Sequence, residues 1–168
     1  MLNFYKPNLD YIEYLQNEET SVRGFTRVPN MVDPSYNKEK FMCGIVLNIH
    51  DVDYYVPVTS YTTKKPDNIL IENASGVVVS SLRFNYMVPI PKNEVTLIDI
   101  SAEPDPSYKS LLAQEYAFIK NNEAAILSKA NSTYKKVLFG KDLGLVHNSC
   151  DFRLLEIKCK EWEASHKS

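Results

Sequence analysis

Two short polar clusters hold the residues with the most evident chemistry: Asp33-Pro34-Ser35-Tyr36-Asn37-Lys38-Glu39-Lys40 and Thr59-Ser60-Tyr61-Thr62-Thr63-Lys64-Lys65, separated by one apolar segment. If that segment folds as a hairpin, the hydroxyls of Tyr36, Thr59 and Ser60 come to lie beside the ammonium groups of Lys40 and of Lys64 or Lys65. Hydroxyls that bond or relay protons, next to cations that neutralise an oxyanion, suit a phosphodiester. Each cluster alone also has a plain backbone explanation: Thr-Ser closes strands through local hydroxyl bonds, and Asp-Pro opens turns.

Other chemistries have less support. His50, His147 and His166 sit in three distant contexts, and Cys43 falls mid-strand, so neither a Cys-His nor a Ser-His-Asp arrangement is indicated. Cys43, Cys150 and Cys159 are odd in number and show no C-x-x-C spacing, which predicts buried thiols rather than disulfides or a zinc site. His50-Asp51-Val52-Asp53 reads as a turn, because strand alternation would aim neighbouring side chains at opposite faces. With five glycines and no Gly-rich loop, nucleotide triphosphate chemistry has no cradle. No metal and no cofactor is expected.

The elements that must position the two clusters follow from periodicity. Residues 8–15 suggest a short helix, and residues 16–40 a long polar loop, with a short extended piece from Phe25 to Val28. Phe41 to Ile49 and Tyr54 to Val58 predict a hairpin around an Asp-rich turn. Asn68 to Glu72, Val77 to Ser80, Tyr86 to Ile90 and Val95 to Ile100 are further strands, with Pro57 and Pro89 expected at edges or bulges. Beyond Pro106 the period becomes helical: Tyr108, Leu111, Leu112 and Ile119 form one stripe and Leu127, Ala130, Tyr134, Val137 and Leu138 another. Gly140 and Gly144 read as stop signals, and a last helix capped by Asp151 carries Leu155, Cys159 and Trp162. The expected fold is α+β, one domain over residues 1–168, with a mostly antiparallel sheet in residues 1–100 and helices in 106–166. A chain of 168 residues with 44% hydrophobic content can bury a real core.

The formal charge of −2 argues against indiscriminate polyanion binding and leaves the placement of charge to decide. From Lys129 to Lys141 the chain carries four lysines and no acid, with Tyr134 and Phe139 interleaved. This is a solvated helical face or a phosphate-tracking surface built on Lys129, Tyr134, Lys135 and Lys136. With Arg23, Arg27, Lys38, Lys40, Lys64 and Lys65 it would make a positive groove. Nothing near the N-terminus resembles a signal peptide and no apolar run reaches the ~18 residues of a membrane span, so a cytoplasmic protein is expected.

Several ordered segments resemble the ToxN/AbiQ-type endoribonucleases of type III toxin-antitoxin systems. They are Asn3-Phe4-Tyr5 with Tyr11-Ile12-Glu13-Tyr14-Leu15, Asp33-Pro34-Ser35-Tyr36 through Lys40 into Gly44-Ile45-Val46-Leu47, and Tyr55-Val56-Pro57-Val58-Thr59-Ser60. Met87-Val88-Pro89-Ile90-Pro91, Tyr108-Lys109 and Phe118-Ile119-Lys120 continue the match in order. The resemblance implies a partly open barrel like the MazF/Kid core with added helices, metal-independent cleavage of single-stranded RNA, and inhibition by a structured RNA antitoxin in a closed protein–RNA assembly. It also implies roles: Thr59 and Ser60 as the active-site hydroxyl pair, Tyr11 and Tyr36 as groove tyrosines, and Lys40 as the first active-site lysine. The family follows Thr-Ser closely with Pro-Lys, whereas Tyr61-Thr62-Thr63 intervene here, so Lys64 is preferred over Lys65 for the second lysine. Tyr11, Tyr36 and Phe118 are placed to stack bases. The rival readings are a non-catalytic RNA-binding module using the same groove, and a protein–protein adaptor.

Overall fold

The computed structural model describes residues 1–32 and 40–167. Among the described residues seven strands, β1 (Asn3–Pro7), β2 (Met42–Ile49), β3 (Val52–Thr59), β4 (Asn68–Glu72), β5 (Val78–Arg83), β6 (Val88–Pro89) and β7 (Val95–Leu97), form one antiparallel sheet ordered β4-β5-β3-β2-β1-β7, with β6 paired to β3 off that path. Helices α1 (Leu9–Arg23), α2 (Pro106–Asn121), α3 (Glu123–Phe139), α4 (Leu143–His147) and α5 (Phe152–Ser165) complete the expected α+β arrangement.

The hairpin joining β2 and β3 organises the sheet. His50 and Asp51 take φ of 50° and 68°, the left-handed pair that a two-residue hairpin turn needs. Strand β3 is buried at Tyr54, Tyr55, Val56, Pro57 and Val58, which explains its nearly unbroken apolar run. Pro57 is tolerated in this central strand because β3 changes partner there: β6 pairs with Tyr54 and Tyr55, and β5 takes over from Val58. Opposite Tyr55 sits Gly44, where the aromatic ring occupies the space of a side chain.

Several expectations change for physical reasons. Helix α1 runs to Arg23, eight residues past the expected end at residue 15, because its buried stripe of Tyr11, Ile12 and Leu15 continues onto Glu19. An acid at that position breaks the apolar pattern without leaving the core. Gly24, at φ 83°, ends the helix with its N–H on the Thr20 carbonyl. Strand β1 gave no local signal and exists through pairing to β2 and β7. The strand expected over residues 86–90 shrinks to Val88–Pro89 after a 3-10 turn, no strand covers residues 25–28, and Gly144 lies within α4 rather than ending α3.

Helix caps match their chemistry. Asn8, Asp105, Asp142 and Asp151 each accept a first-turn backbone N–H, and Pro106 stands at the start of α2. Among the described residues no helix is long and apolar enough to cross a membrane.

A Cβ at position 44 would collide with the Tyr55 ring in the centre of the sheet. Gly44→Ala is therefore expected to lower unfolding stability by about 1–3 kcal/mol, as overpacking does, read from chemical denaturation midpoints.

Candidate functional site

Strand β3 carries Thr59 to the rim of a groove of about 610 Å³. The loop from Thr26 to Met31 supplies part of its lining, the ends of β3 and β5 supply Val58, Thr59, Ser60, Val79 and Ser80, and α2 supplies Tyr108, Leu111 and Glu115. Lys40, Phe41, Pro57 and Tyr86 are the other described residues of the lining.

Buried Glu19 positions the Thr26–Met31 loop. Its Oε1 accepts from the Arg27 backbone N–H at 2.5 Å and the Thr26 hydroxyl at 2.9 Å, while Oε2 accepts from Asp151 N at 2.7 Å and Arg23 Nη1 at 3.2 Å. Arg23 also donates to the carbonyls of Ser149, Val146 and His147, and Arg27 Nε donates to His147 at 3.0 Å. Both guanidinium groups lie over the Phe25 ring, at 4.4 and 4.9 Å from its centroid. Both arginines clamp onto the α4–α5 junction, and Arg27 lines the groove as well.

Thr59 and Ser60 divide their duties. The Thr59 hydroxyl pairs with Ser81 Oγ at 3.1 Å and accepts the Tyr61 N–H at 3.3 Å, the local closure expected of a Thr at a strand end. Ser60 is exposed in the groove. Lys40 stands in the same lining, so the structure joins Lys40, Thr59 and Ser60 as the sequence suggested. Tyr36 and Lys38 lie outside the described residues.

Other candidates are placed elsewhere. Lys64 donates its ammonium to the Asn68 carbonyl at 2.8 Å, and buried Asn68 also bonds Lys65 N and the Thr63 carbonyl. Neither lysine lines the groove, and among the described residues the cations that do are Arg27 and Lys40. Tyr11 is not a stacking platform, because it is wholly buried with its hydroxyl on the Pro89 carbonyl at 2.6 Å and its ring against Trp162. Tyr134 is likewise withdrawn: it stacks on Phe152 and shares Glu156 Oε2 with Tyr54, both hydroxyls at 2.6 Å. Phe118 is half-buried against the core, away from the groove lining. Lys129 reaches the Pro66 carbonyl at 3.0 Å, beside the loop that bears Lys64 and Lys65, while Lys135 and Lys136 are exposed on α3.

The structure adds groups that local patterns did not mark. Glu115 is 3% exposed, lies in the groove lining, and accepts a 2.5 Å hydrogen bond from Ser80 through Oε2. Burial raises its carboxyl pKa, with the Ser80 bond opposing. Burial, with Glu115 and Glu103 nearby, pushes Tyr108 to about 12, leaving it a proton donor at neutral pH. Arg83 packs between Tyr61 and Tyr86, at 4.2 and 4.7 Å from their ring centroids. Glu115 sits among the apolar residues of a helical stripe, which a search for chemical motifs passes over; a lone acid at a core-facing position was the available signal. Burial also pushes the Cys43 thiol to about 12 and Cys159 to about 11, which leaves little thiolate at neutral pH. Among the described residues, no three His, Cys, Asp or Glu side chains cluster as metal ligands.

The same sheet-and-helix architecture recurs in solved structures from type III toxin-antitoxin systems and from a bacterial antiviral system. One, from a system in which a non-coding RNA pseudoknot selectively inhibits the toxin, superposes with a TM-score of 0.85 at 28% identity, covering 96% of this chain and 98% of that one. Another, from a bacterial antiviral system regulated by a processed non-coding RNA, gives 0.82 at 31% identity over 95% and 98%. The lactococcal anti-phage endoribonuclease AbiQ shares the fold, with a TM-score of 0.80 at 23% identity over 98% of this chain and 99% of that one. By sequence, the chain is 34% identical over 172 aligned positions to Endoribonuclease ToxN of Pectobacterium atrosepticum, covering 96% of this chain and 94% of that protein. It is 28% identical to Endoribonuclease ToxN of Bacillus thuringiensis subsp. kurstaki, over 95% and 84%. Residues 3–160 match the family model described as toxin ToxN of type III toxin-antitoxin systems, and the chain belongs to that family of endoribonuclease toxins.

Two expected outcomes follow from the buried acids. Glu19→Ala strips four donors of their acceptor and is expected to cost about 3 kcal/mol of stability, measured by urea denaturation. Glu115 keeps its proton to higher pH when folded than when unfolded, so folding takes up a proton between the two values and stability falls as pH rises through that window. Glu115→Gln lacks this titration, and denaturation from about pH 4 to about pH 8 is expected to show wild type losing stability relative to the variant.

Proposed function

We propose that this endoribonuclease cuts single-stranded RNA in the groove at the end of β3 without a metal. The substrate's own 2′-hydroxyl attacks the adjacent phosphorus, the bond to the 5′-oxygen breaks, and the fragments carry a 2′,3′-cyclic phosphate and a 5′-hydroxyl. The nucleophile arrives with the substrate, so the protein's task is alignment and charge stabilisation. The observation that carries this reading is the convergence of Ser60 with Lys40 and Arg27 in one lining that also contains aromatic rings.

In this mechanism Lys40 neutralises the non-bridging phosphorane oxygens and Ser60 hydrogen-bonds one of them. Thr59, held by Ser81 and Tyr61, fixes the turn that presents Ser60. Arg27, whose guanidinium also donates to the His147 carbonyl, takes the second cationic role for which Lys64 was the sequence candidate, since Arg27 lines the groove and Lys64 does not. Tyr36 remains a candidate catalytic hydroxyl. Tyr86 and Tyr108 offer faces for splayed bases, the conformation in which single-stranded RNA is read.

A structured repeat RNA is the proposed inhibitor, in a closed protein–RNA assembly, by likeness to the solved type III systems with RNA regulators. The lysines at the Lys64-Lys65 loop and along α3 supply a surface for its phosphates. Growth arrest that limits phage infection in the cytoplasm is the corresponding biological role, by likeness to the antiviral and anti-phage relatives.

In EDTA, wild-type protein is expected to cut single-stranded RNA to fragments with cyclic-phosphate ends and to leave DNA of the same sequence intact. Lys40→Ala and Ser60→Ala are each expected to slow cutting by roughly 10²-fold with folding retained by circular dichroism. Loss of wild-type cutting on chelation, or full activity in both variants, would contradict the mechanism.

A further inference from the structure

Among the described residues that line a groove proposed to hold a polyanion, Glu115 is the one acid, and its place needs a reason. The side chain is 3% exposed, among Phe41, Tyr86, Tyr108 and Leu111 in the same lining. A carboxyl group repels a phosphate wherever water is excluded, but it attracts the N–H edge of a base. Its chemistry therefore matches a nucleobase and not the backbone. The half-buried rings of Tyr86 and Tyr108 in that lining supply stacking surfaces of the kind that hold a splayed base.

We propose that Glu115 and Ser80 form the reading end of a nucleobase subsite that recognises an exocyclic amino group, so that one position near the scissile bond accepts adenine, cytosine or guanine and disfavours uracil. The inference rests on the groove being the RNA site, as proposed above. Ser80 occupies Oε2, and Oε1 accepts no hydrogen bond from the described residues, so an acceptor is left for the base. A carboxyl group offers an acceptor oxygen in either protonation state, which keeps amino recognition intact across pH. Uracil carries no amino group, and its N3–H is flanked by two carbonyl oxygens that face the carboxyl group unfavourably. Ser80 is a positioning residue: its hydroxyl fixes the carboxyl orientation from β5 while α2 supplies the acid.

The test is sequencing of cut ends from a randomised single-stranded RNA, with wild type, Glu115→Gln, Glu115→Ala and Ser80→Ala. Wild type is expected to show uracil depleted roughly tenfold at one fixed position. Glu115→Gln presents amide N–H donors beside its acceptor and is expected to bring uracil close to parity there while preferences at other positions stay unchanged. Glu115→Ala should lose the depletion as well, and Ser80→Ala should weaken it. A second measurement does not depend on turnover: short RNA with 2′-O-methyl sugars, carrying adenine or purine at that position, should differ roughly tenfold in affinity for wild type and little for Glu115→Gln. An unchanged cut-site profile in Glu115→Gln and Glu115→Ala would overturn the subsite. So would a uniform rate loss with an altered pH–rate limb and the same profile, which would assign Glu115 to proton transfer. If Lys40→Ala and Ser60→Ala both cut normally, the groove itself fails as the RNA site, an outcome distinct from an unchanged profile with those two variants inactive.

Discussion

The Glu19 carboxylate connects the parts of the chain that must agree before the groove has a wall. From the last turn of α1 it holds the Arg27 N–H and the Thr26 hydroxyl, and across the molecule it holds the Asp151 N–H that begins α5. A buried carboxylate is costly unless its lone pairs are filled, and here backbone, hydroxyl and guanidinium donors fill them. The Thr26–Met31 loop has no strand or helix of its own and depends on this acid for its course. Arg27 enters the groove lining because its backbone is anchored at Glu19.

The sheet supplies the other half of the site by a different means. Strand β3 is buried from Tyr54 to Val58 and ends where the Thr59 hydroxyl bonds Ser81 and the Tyr61 N–H, with Ser60 presented from a rigid strand end. Catalysis by alignment needs that rigidity, since a displacement of about 1 Å can cost orders of magnitude in rate. Thr59 carries the plain role of strand closure, and the proposed mechanism assigns the catalytic one to its neighbour Ser60. Helix α2 then brings Glu115 against Ser80, so α2 and the sheet meet at a polar contact within the groove.

Much of this was legible in the chain. The hairpin, β4, the α2 stripe and the Asp151 cap all have local causes, namely alternation, turn residues and capping side chains, while the α3 stripe is buried through Ile126 and Thr133, with the expected Leu127 exposed. Lys40, Thr59 and Ser60 meet because the β2–β3 hairpin register brings the chain just before β2 beside the end of β3. Local patterns failed where long-range partners decide. Strand β1 needs β2 and β7, α1 continues through a buried acid, and Tyr11 and Tyr134 look like surface aromatics until Pro89, Trp162, Phe152 and Glu156 enclose them. Lys64 is claimed by Asn68 through loop geometry that residue types alone do not specify. Glu115 and Ser80 are more than thirty residues apart, and only the packing of α2 on β5 unites them.

The central claim is that RNA passes through the groove between the Glu19-anchored loop, the end of β3 and α2. Its most direct test is a crystal structure with a short single-stranded RNA made uncleavable by a 2′-O-methyl group at the scissile nucleotide. The account predicts the scissile phosphate within hydrogen-bonding reach of Ser60 and the Lys40 ammonium, with Arg27 on the same phosphate or its neighbour. RNA bound along the Lys135-Lys136 face of α3, with the groove empty, would contradict it.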